Sequence, residues 1–251
     1  MSMAYSFAAP PRPEISPFDG LLLVDKPAGP TSHDLVAKIR RHFRIEKVGH
    51  GGTLDPAATG LLVILLGKAT KLSDRIMGGD KTYEGTLRLG ASTSTQDAEG
   101  EILECGDPSG VSEERMREVL ATFRGDLLQT PPMVSAIKRD GVPLYKLARK
   151  GETVERNPRL VHLYEFRLVE FGIPDSRVLV RCTKGTYVRT LCHDVGSVLG
   201  CHGHLAALRR TRSGKLDVAN ASTLDQLMNM TGRDELIPHI MPLLDAVTML
   251  N

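Results

Sequence analysis

A chain of 251 residues with 25% charged and 41% hydrophobic residues has the balance of a soluble globular protein, long enough to bury a full core. Its longest apolar run, Leu61 to Leu66, is too short to span a bilayer, and the start MSMAYSFAAPPRPEISP lacks the basic head and apolar stretch of an export signal. Cys105, Cys182, Cys192 and Cys201 without such a signal point to reduced thiols in a cytoplasm, and a formal net charge of +2 does not by itself announce a nucleic-acid partner.

Residues 1–18 read as a flexible Pro-rich tail and 19–251 as the folded unit. Gly20 to Pro27 has the apolar content of a buried strand that its proline stops. Gly29-Pro30-Thr31-Ser32 then turns the chain and offers a hydroxyl to cap a helix over His33–Phe43. That helix presents Leu35, Val36, Ile39 and Phe43 on one face and Lys38, Arg40, Arg41 and Arg44 on another. A glycine-rich loop around His50 follows, then strands at Leu61–Leu66 and Thr82–Leu89 and a helix at Ser112–Phe123. Leu160–Val169 and Arg177–Cys182 read as paired strands about the turn Gly172-Ile173-Pro174-Asp175. Helices are expected at Tyr187–Leu199 and His204–Arg210, with a short one at Leu224–Met230. The elements mix without a steady βαβ rhythm, so the expected class is α+β.

Charge is lobed. Asp74 to Asp126 holds 12 Asp/Glu against 6 Lys/Arg, whereas Lys138 to Lys215 holds 16 Lys/Arg against 7 Asp/Glu. One basic surface facing a phosphate backbone would account for this, as would solvated surfaces of alternating sign.

Asp55 is the first candidate for chemistry. Pro56 biases it away from helical angles, and Gly49, Gly51 and Gly52 free the preceding backbone for tight turns or close ligand approach. Alone, Asp-Pro is a common turn or helix-start pair. The whole string Gly49-His50-Gly51-Gly52-Thr53-Leu54-Asp55-Pro56-Ala57-Ala58-Thr59-Gly60 says more, because it resembles the G-H-x-G-[TA]-L-D-P-x-A-T-G signature of the bacterial TruB family of tRNA pseudouridine synthases. Asp25-Lys26-Pro27-x-Gly29-x-Thr31-Ser32 is similar to that family's D-K-P-x-G-x-T-S, and Lys81-Thr82-Tyr83 to its active-site tyrosine segment. Pro131 to Ala136 and Leu144 to Gly151 resemble its RNA-gripping region, Lys184 to Leu191 its K-G-T-Y-I-R motif, and Leu208 to Gly214 its closing L-R-R segment. The resemblance runs from about Gly20 to the C-terminus.

It implies a pseudouridine-synthase fold: a mixed, mainly antiparallel sheet flanked by helices and loops, with a central active-site cleft. The reaction breaks the base–sugar C–N bond of a uridine, turns the uracil and rejoins it through carbon, so the resemblance implies no cofactor and no metal. Asp55 takes the role of catalytic carboxylate, either as a nucleophile or as a base. Tyr83 would stack on the flipped uracil, Arg189 would hold Asp55 ionised and aimed, Leu208 would line the uracil pocket, and His50 would fill the gap in the RNA or stack beside it. Phosphate contacts fall to Lys138, Arg139, Lys146, Arg149, Lys150, Arg209, Arg210 and Arg212, with 131–157 as an RNA-gripping insertion. Val134, where the family has an aromatic residue, and Pro143 depart from the pattern there. The implied substrate is the uridine at position 55 of the tRNA TΨC loop, acted on in the cytoplasm by a monomer without a membrane or obligate protein partner. No C-terminal PUA-type domain is expected.

Rivals fare worse. Gly67-Lys68 lacks the P-loop's earlier glycine, where Leu62 stands, and its following Ser/Thr, where Ala69 stands. Cys192-His193 and Cys201-His202-Gly203-His204 have zinc-ligand chemistry but not the paired-ligand spacing of structural zinc sites. A non-catalytic tRNA-folding protein should have lost Asp55, Tyr83 and Arg189, and all three are present. A guide-RNA-dependent synthase would call for an assembly region that the sequence does not display.

Overall fold

The computed structural model describes residues 14–133, 138–139, 141–143 and 154–251. Its strands are β1 (Gly20–Lys26), β2 (Val48–His50), β3 (Thr59–Leu66), β4 (Lys81–Leu89), β5 (Ala91–Thr93), β6 (Ile102–Cys105), β7 (Gly125–Gln129), β8 (Lys138–Arg139), β9 (Val142–Pro143), β10 (Arg159–Glu170), β11 (Asp175–Cys182), β12 (Gly203–Ser213), β13 (Leu216–Asp217), β14 (Ser222–Thr223) and β15 (Ile240–Pro242). The helices are α1 (Ser32–Phe43), α2 (Ser73–Gly78), α3 (Glu113–Thr122), α4 (Val188–Leu199), α5 (Leu224–Met228) and α6 (Leu243–Leu250).

Eleven strands form one mixed sheet in the order β14-β1-β3-β12-β4-β11-β10-β7, with β2, β13 and β15 attached at its sides. The β1–β14 and β3–β12 pairings are parallel; the others in this sheet are antiparallel. This is the expected α+β arrangement. Among the described residues no helix is long and apolar enough to cross a membrane.

Local chemistry explains the element ends. Thr31 caps α1: its side chain accepts from the Asp34 amide and the Asp34 carboxylate accepts from the Thr31 amide, a reciprocal capping box. The helix buries Leu35, Val36, Ile39 and Phe43, each burial contributing roughly 1.5–3 kcal/mol. They form, with one face of β1 and β3, the first of three cores. The opposite face of these strands packs on α6 and the segment around Leu72 and Ile76. A third core lies between β4, β11 and β10 and the helices α3 and α4. Tyr83 and Leu208 touch both the α1 core and the α3–α4 core, which marks the junction where the functional site lies.

Two expectations need correction. The segment His204–Arg210, expected to be helical, belongs to strand β12, hydrogen-bonded to β4 on one side and β3 on the other. Pairing on both flanks overrides the helix propensity of Ala206, Ala207 and Leu208. Two register shifts disguise it further: the one between Leu205 and Ala207 inserts a residue, so Leu205 and Leu208 share a face at a spacing that reads as helical. The second correction concerns the tail. Of residues 1–18, those from 14 on are described, and Phe18 is buried in the α1 core with the Arg233 guanidinium 4.0 Å over its ring. An aromatic side chain this close to the apolar face of α1 gains more by packing than by hydration, so ordered packing begins before Asp19.

The seam between the halves is narrow. In the parallel β3–β12 pairing Arg210 lies beside Gly60, whose φ is +96° and whose missing Cβ would sit 2.3 Å from the Arg210 carbonyl oxygen. Gly60→Ala is therefore expected to destabilise the fold by about 3 kcal/mol or more, through a strained backbone and a clash that backbone cannot relieve. A denaturant midpoint shift measures it; a loss under about 1 kcal/mol would contradict this account of the seam.

Candidate active site

Asp55 sits on the loop between β2 and β3, with its side chain half exposed. The loop is fixed from three directions. From β1, the fully buried Lys26 donates through Nζ to the carbonyls of Pro27 and Pro56 at 2.9 Å and of Ala58 at 2.7 Å. From the start of α1, Ser32 Oγ accepts from the Leu54 amide and donates to the Leu54 carbonyl, and the Gly29 amide donates to Pro56 O. From β12, Arg210 donates to the carbonyls of Leu61, Thr53 and Gly52 at 2.8, 3.2 and 3.1 Å. The two conspicuous early motifs are thus one object, the first clamping the second. Burial pushes the Lys26 ammonium below the usual lysine range, against the opposing pull of Asp55.

Arg189, in the first turn of α4 and buried, reaches the carboxylate. Its Nη2 donates to Asp55 Oδ2 at 2.9 Å, and its Nη1 donates to Asp97 Oδ2 at 3.0 Å. The helix start that aims it is held by Gln129: the Tyr187 amide donates to Gln129 Oε1, and Gln129 Nε2 donates to the Tyr187 carbonyl. Thr190 Oγ1 donates to Gln96 Oε1, tying the next residue to the loop that carries Asp97. One buried guanidinium therefore bridges two carboxylates carried by separate loops.

The carboxylate lies on a cleft of about 520 Å³ whose walls include Leu54, Tyr83, Val161, Val188, Leu205, Leu208 and Arg210. The lining combines apolar surface with a few polar groups, the usual constitution of a small-molecule or base pocket. Tyr83 and Arg210 are direct cross-strand partners, as are Gly85 and Leu208, so all four present to one face of the sheet. Burial raises the Tyr83 phenol above its ordinary value.

Of the residues expected here, Asp55, Tyr83, Arg189 and Leu208 come together on this cleft. His50 does not line it; it lies at the end of β2 with its ring edge-on to His33, centroids 5.1 Å apart. Burial, with the neighbouring His33 and Arg210, depresses the His50 imidazole, so it is neutral at neutral pH.

The closing basic cluster divides. Arg210 is 2% exposed and engaged with backbone carbonyls, so it is an anchor of the Asp55 loop and not a surface phosphate contact. Arg209 and Arg212 share the opposite face of β12; Arg209 makes a bidentate pair with Asp25 at 2.9 and 2.6 Å, and Arg212 pairs with Asp217 at 3.1 Å. Adjacent strand residues point to opposite faces, which separates Arg209 from Arg210, and the register shift between Arg210 and Arg212 puts Arg212 on the Arg209 side. Lys138 and Arg139 form β8, paired with β9. Lys146, Arg149 and Lys150 lie outside the described residues.

The residue that sequence reasoning missed is Asp97. Its only local mark is a turn, where Thr95 Oγ1 and the Glu99 amide donate to its Oδ1, and it reads there as one more acid of an acidic stretch. As for zinc, Cys192 is buried in the α3–α4 core with its thiol pushed up to about 12, and among the described residues no three His, Cys, Asp or Glu side chains converge as metal ligands do.

The chain is similar to known proteins over most of its length. Residues 40–188 match the family model for the N-terminal domain of TruB family pseudouridylate synthases, and residues 189–248 that for the C-terminal domain of tRNA pseudouridylate synthase B. The chain is 54% identical over 217 residues to a tRNA pseudouridine synthase B of Opitutus terrae, covering 86% of this chain and 89% of that one. It is 48% identical over 235 residues to the protein of that name in Syntrophotalea carbinolica, covering 93% and 77%. Among solved structures it resembles a chain of a Cbf5–Nop10–Gar1 complex, with a TM-score of 0.73 and 31% identity, over 93% of this chain and 63% of that one. A chain of an H/ACA ribonucleoprotein bound to a substrate RNA containing 2′-deoxyuridine gives 0.69 and 27%, over 92% and 61%. This chain thus spans less than two thirds of those two solved chains.

Proposed function

This chain belongs to the TruB family of pseudouridine synthases, and on that premise we propose that it converts the uridine at position 55 of the tRNA TΨC loop to pseudouridine, with Asp55 as the reacting carboxylate. The observation that carries the assignment to Asp55 is the bridge by which buried Arg189 holds that half-exposed carboxylate on the rim of the cleft. A buried guanidinium bonded to one carboxylate oxygen fixes the aim of the group, which either a nucleophile or a base requires.

The uridine must leave its stack to reach Asp55. Tyr83 supplies a face for the flipped uracil, and Leu205 and Leu208 supply apolar walls that a sugar phosphate would not fill. Arg189 takes Oδ2 of Asp55 and leaves Oδ1 for the nucleotide. Residues 19–251 act as one catalytic unit, with 131–157 and its basic side chains gripping the RNA. No cofactor enters, since the product is an isomer of the substrate. Relatives that share about half their residues with this chain are tRNA enzymes by name, which favours action on free tRNA over guide-directed action.

Purified protein incubated with an unmodified tRNA transcript is expected to yield one pseudouridine, in the TΨC loop, mapped by chemical derivatisation. Pseudouridine at another loop would overturn the site choice, and its appearance only with an added guide RNA would overturn stand-alone action.

A further inference from the structure

Around the Asp55 loop three cations are buried with no carboxylate of the described residues bonded to any of them. Lys26, Arg210 and Lys81 are 0%, 2% and 6% exposed. Lys81 donates through Nζ to the carbonyls of Ile76 and Met77 at 3.2 Å and of Gly79 at 2.6 Å. It lines the cleft and stands two residues before Tyr83 on β4, so both side chains present to the same face. Arg210 lines the same cleft directly across from Tyr83. A base stacked on Tyr83 would thus share the cleft with two positive charges whose hydrogen bonds go to backbone carbonyls. Burying a lysine in this way is unfavourable, and neutral residues would close the end of α2 more cheaply.

We propose that Lys81, with Arg210, supplies the positive field that stabilises the uracil as an anion while it is detached from the sugar. The inference rests on the pseudouridine-synthase reading. When the C1′–N1 bond breaks, its electron pair leaves with N1, and the charge spreads over N1 and the two carbonyl oxygens of the ring. The pair is used again when C5 bonds to C1′; C5 then gives up its proton and N1 gains one, so nothing is consumed. Fixed charges in a cleft lined largely by apolar side chains lower the energy of a developing anion without reorganising. Lys81 acts across space, since its own hydrogens are taken by carbonyls, and it is a positioning residue in that sense.

Among the described residues, the groups around Lys81 come from β11, β12, its own strand end and the cleft, where Asp55 and Tyr83 lie. Cys182 is its partner on β11, with a thiol pushed up to about 11 and hence neutral; Arg210 and Ser213 lie on β12; exposed Asp80 precedes it and exposed Lys184 lies on the turn after β11. Burial first, then Arg210, bring the Lys81 ammonium down to about 8. Its charge is therefore present below pH 8 and lost above it, whereas a purely structural clamp on the α2 end carries no such signature at the chemical step.

Single-turnover rates on tRNA transcript, with protein saturating, test this from pH 6.5 to 9.5. The unaltered protein is expected to hold a level rate up to about pH 7.5 and to lose roughly tenfold by pH 9.5. Lys81→Arg should restore most of the rate at pH 7 and remove the alkaline fall. Lys81→Met should lose roughly tenfold or more at pH 7 with tRNA affinity, read by filter binding, little changed. A level rate to pH 9.5 in the unaltered protein, which needs no variant to fold, overturns the proposal. An alkaline fall that persists in Lys81→Arg overturns it too. If the unaltered protein makes no pseudouridine, the functional reading itself fails; if it makes pseudouridine at a pH-independent rate, only the role of Lys81 fails.

Discussion

Asp55→Asn is expected to lower the single-turnover rate of pseudouridine formation by about 10³-fold or more, while tRNA affinity stays within roughly threefold. The substitution is nearly isosteric, so the loop should not move: its position depends on Lys26, Ser32 and Arg210 holding backbone groups of residues 52–61, not on the Asp55 side chain. An amide oxygen still accepts from Arg189, but the amide has neither the charge to attack a sugar carbon nor the basicity to take its proton. Half of the Asp55 side chain is open to solvent, so replacing it should scarcely change stability. Chemical mapping of the transcript and filter binding at one salt concentration separate the two effects. Retention of full turnover would remove Asp55 from the mechanism, and a parallel loss of binding would make its role one of recognition.

Much of this site was legible because its parts carry local marks. Thr31 with Asp34 announces the start of α1, and the glycines before Asp55 announce a special backbone. The family likeness joins Tyr83 and Arg189 to Asp55, although 134 residues separate the arginine from the aspartate. What remained hidden has a common physical origin, namely burial and pairing over long separations. Asp97 meets Arg189 from 92 residues away, and nothing beside it in sequence distinguishes it from a solvated acid. Arg210 looks like its more open neighbours Arg209 and Arg212 until the alternation of β12 and its bulge turn Arg210 alone inward. The same strand hid its own nature, because bulges at Leu205/Ala207 and Arg210/Arg212 break the two-residue period on which strand recognition depends. Lys26 and Lys81 are charged residues in strand positions, and only the carbonyls gathered around them reveal that they are buried cations.

The bridge through Arg189 makes the second large prediction. Arg189→Met, similar in bulk but uncharged, leaves Asp97 with a side chain only 17% exposed and no cation on its Oδ2. Removing one partner of a buried pair typically destabilises by about 3–5 kcal/mol; Asp55, half exposed, adds little to that, so a loss of about 2–4 kcal/mol is expected, read as a denaturant midpoint shift. The single-turnover rate should fall by about 10²–10³-fold, since Asp55 loses the charge-assisted donor that fixes its aim. Arg189→Lys separates the two roles. One ammonium restores a charge, but it is not a planar fork and cannot reproduce parallel bonds to carboxylates on separate loops, so stability should recover more than rate does. Asp97→Asn should be milder, roughly tenfold in rate, because the Arg189 bond to Asp55 survives and the amide oxygen can still accept from Nη1. That order, Arg189→Met below Arg189→Lys below Asp97→Asn in rate, follows only if the guanidinium acts as the hinge between the two acids. Equal rates for Arg189→Met and Asp97→Asn would mean that Asp97, and not Arg189, sets the geometry of the carboxylate.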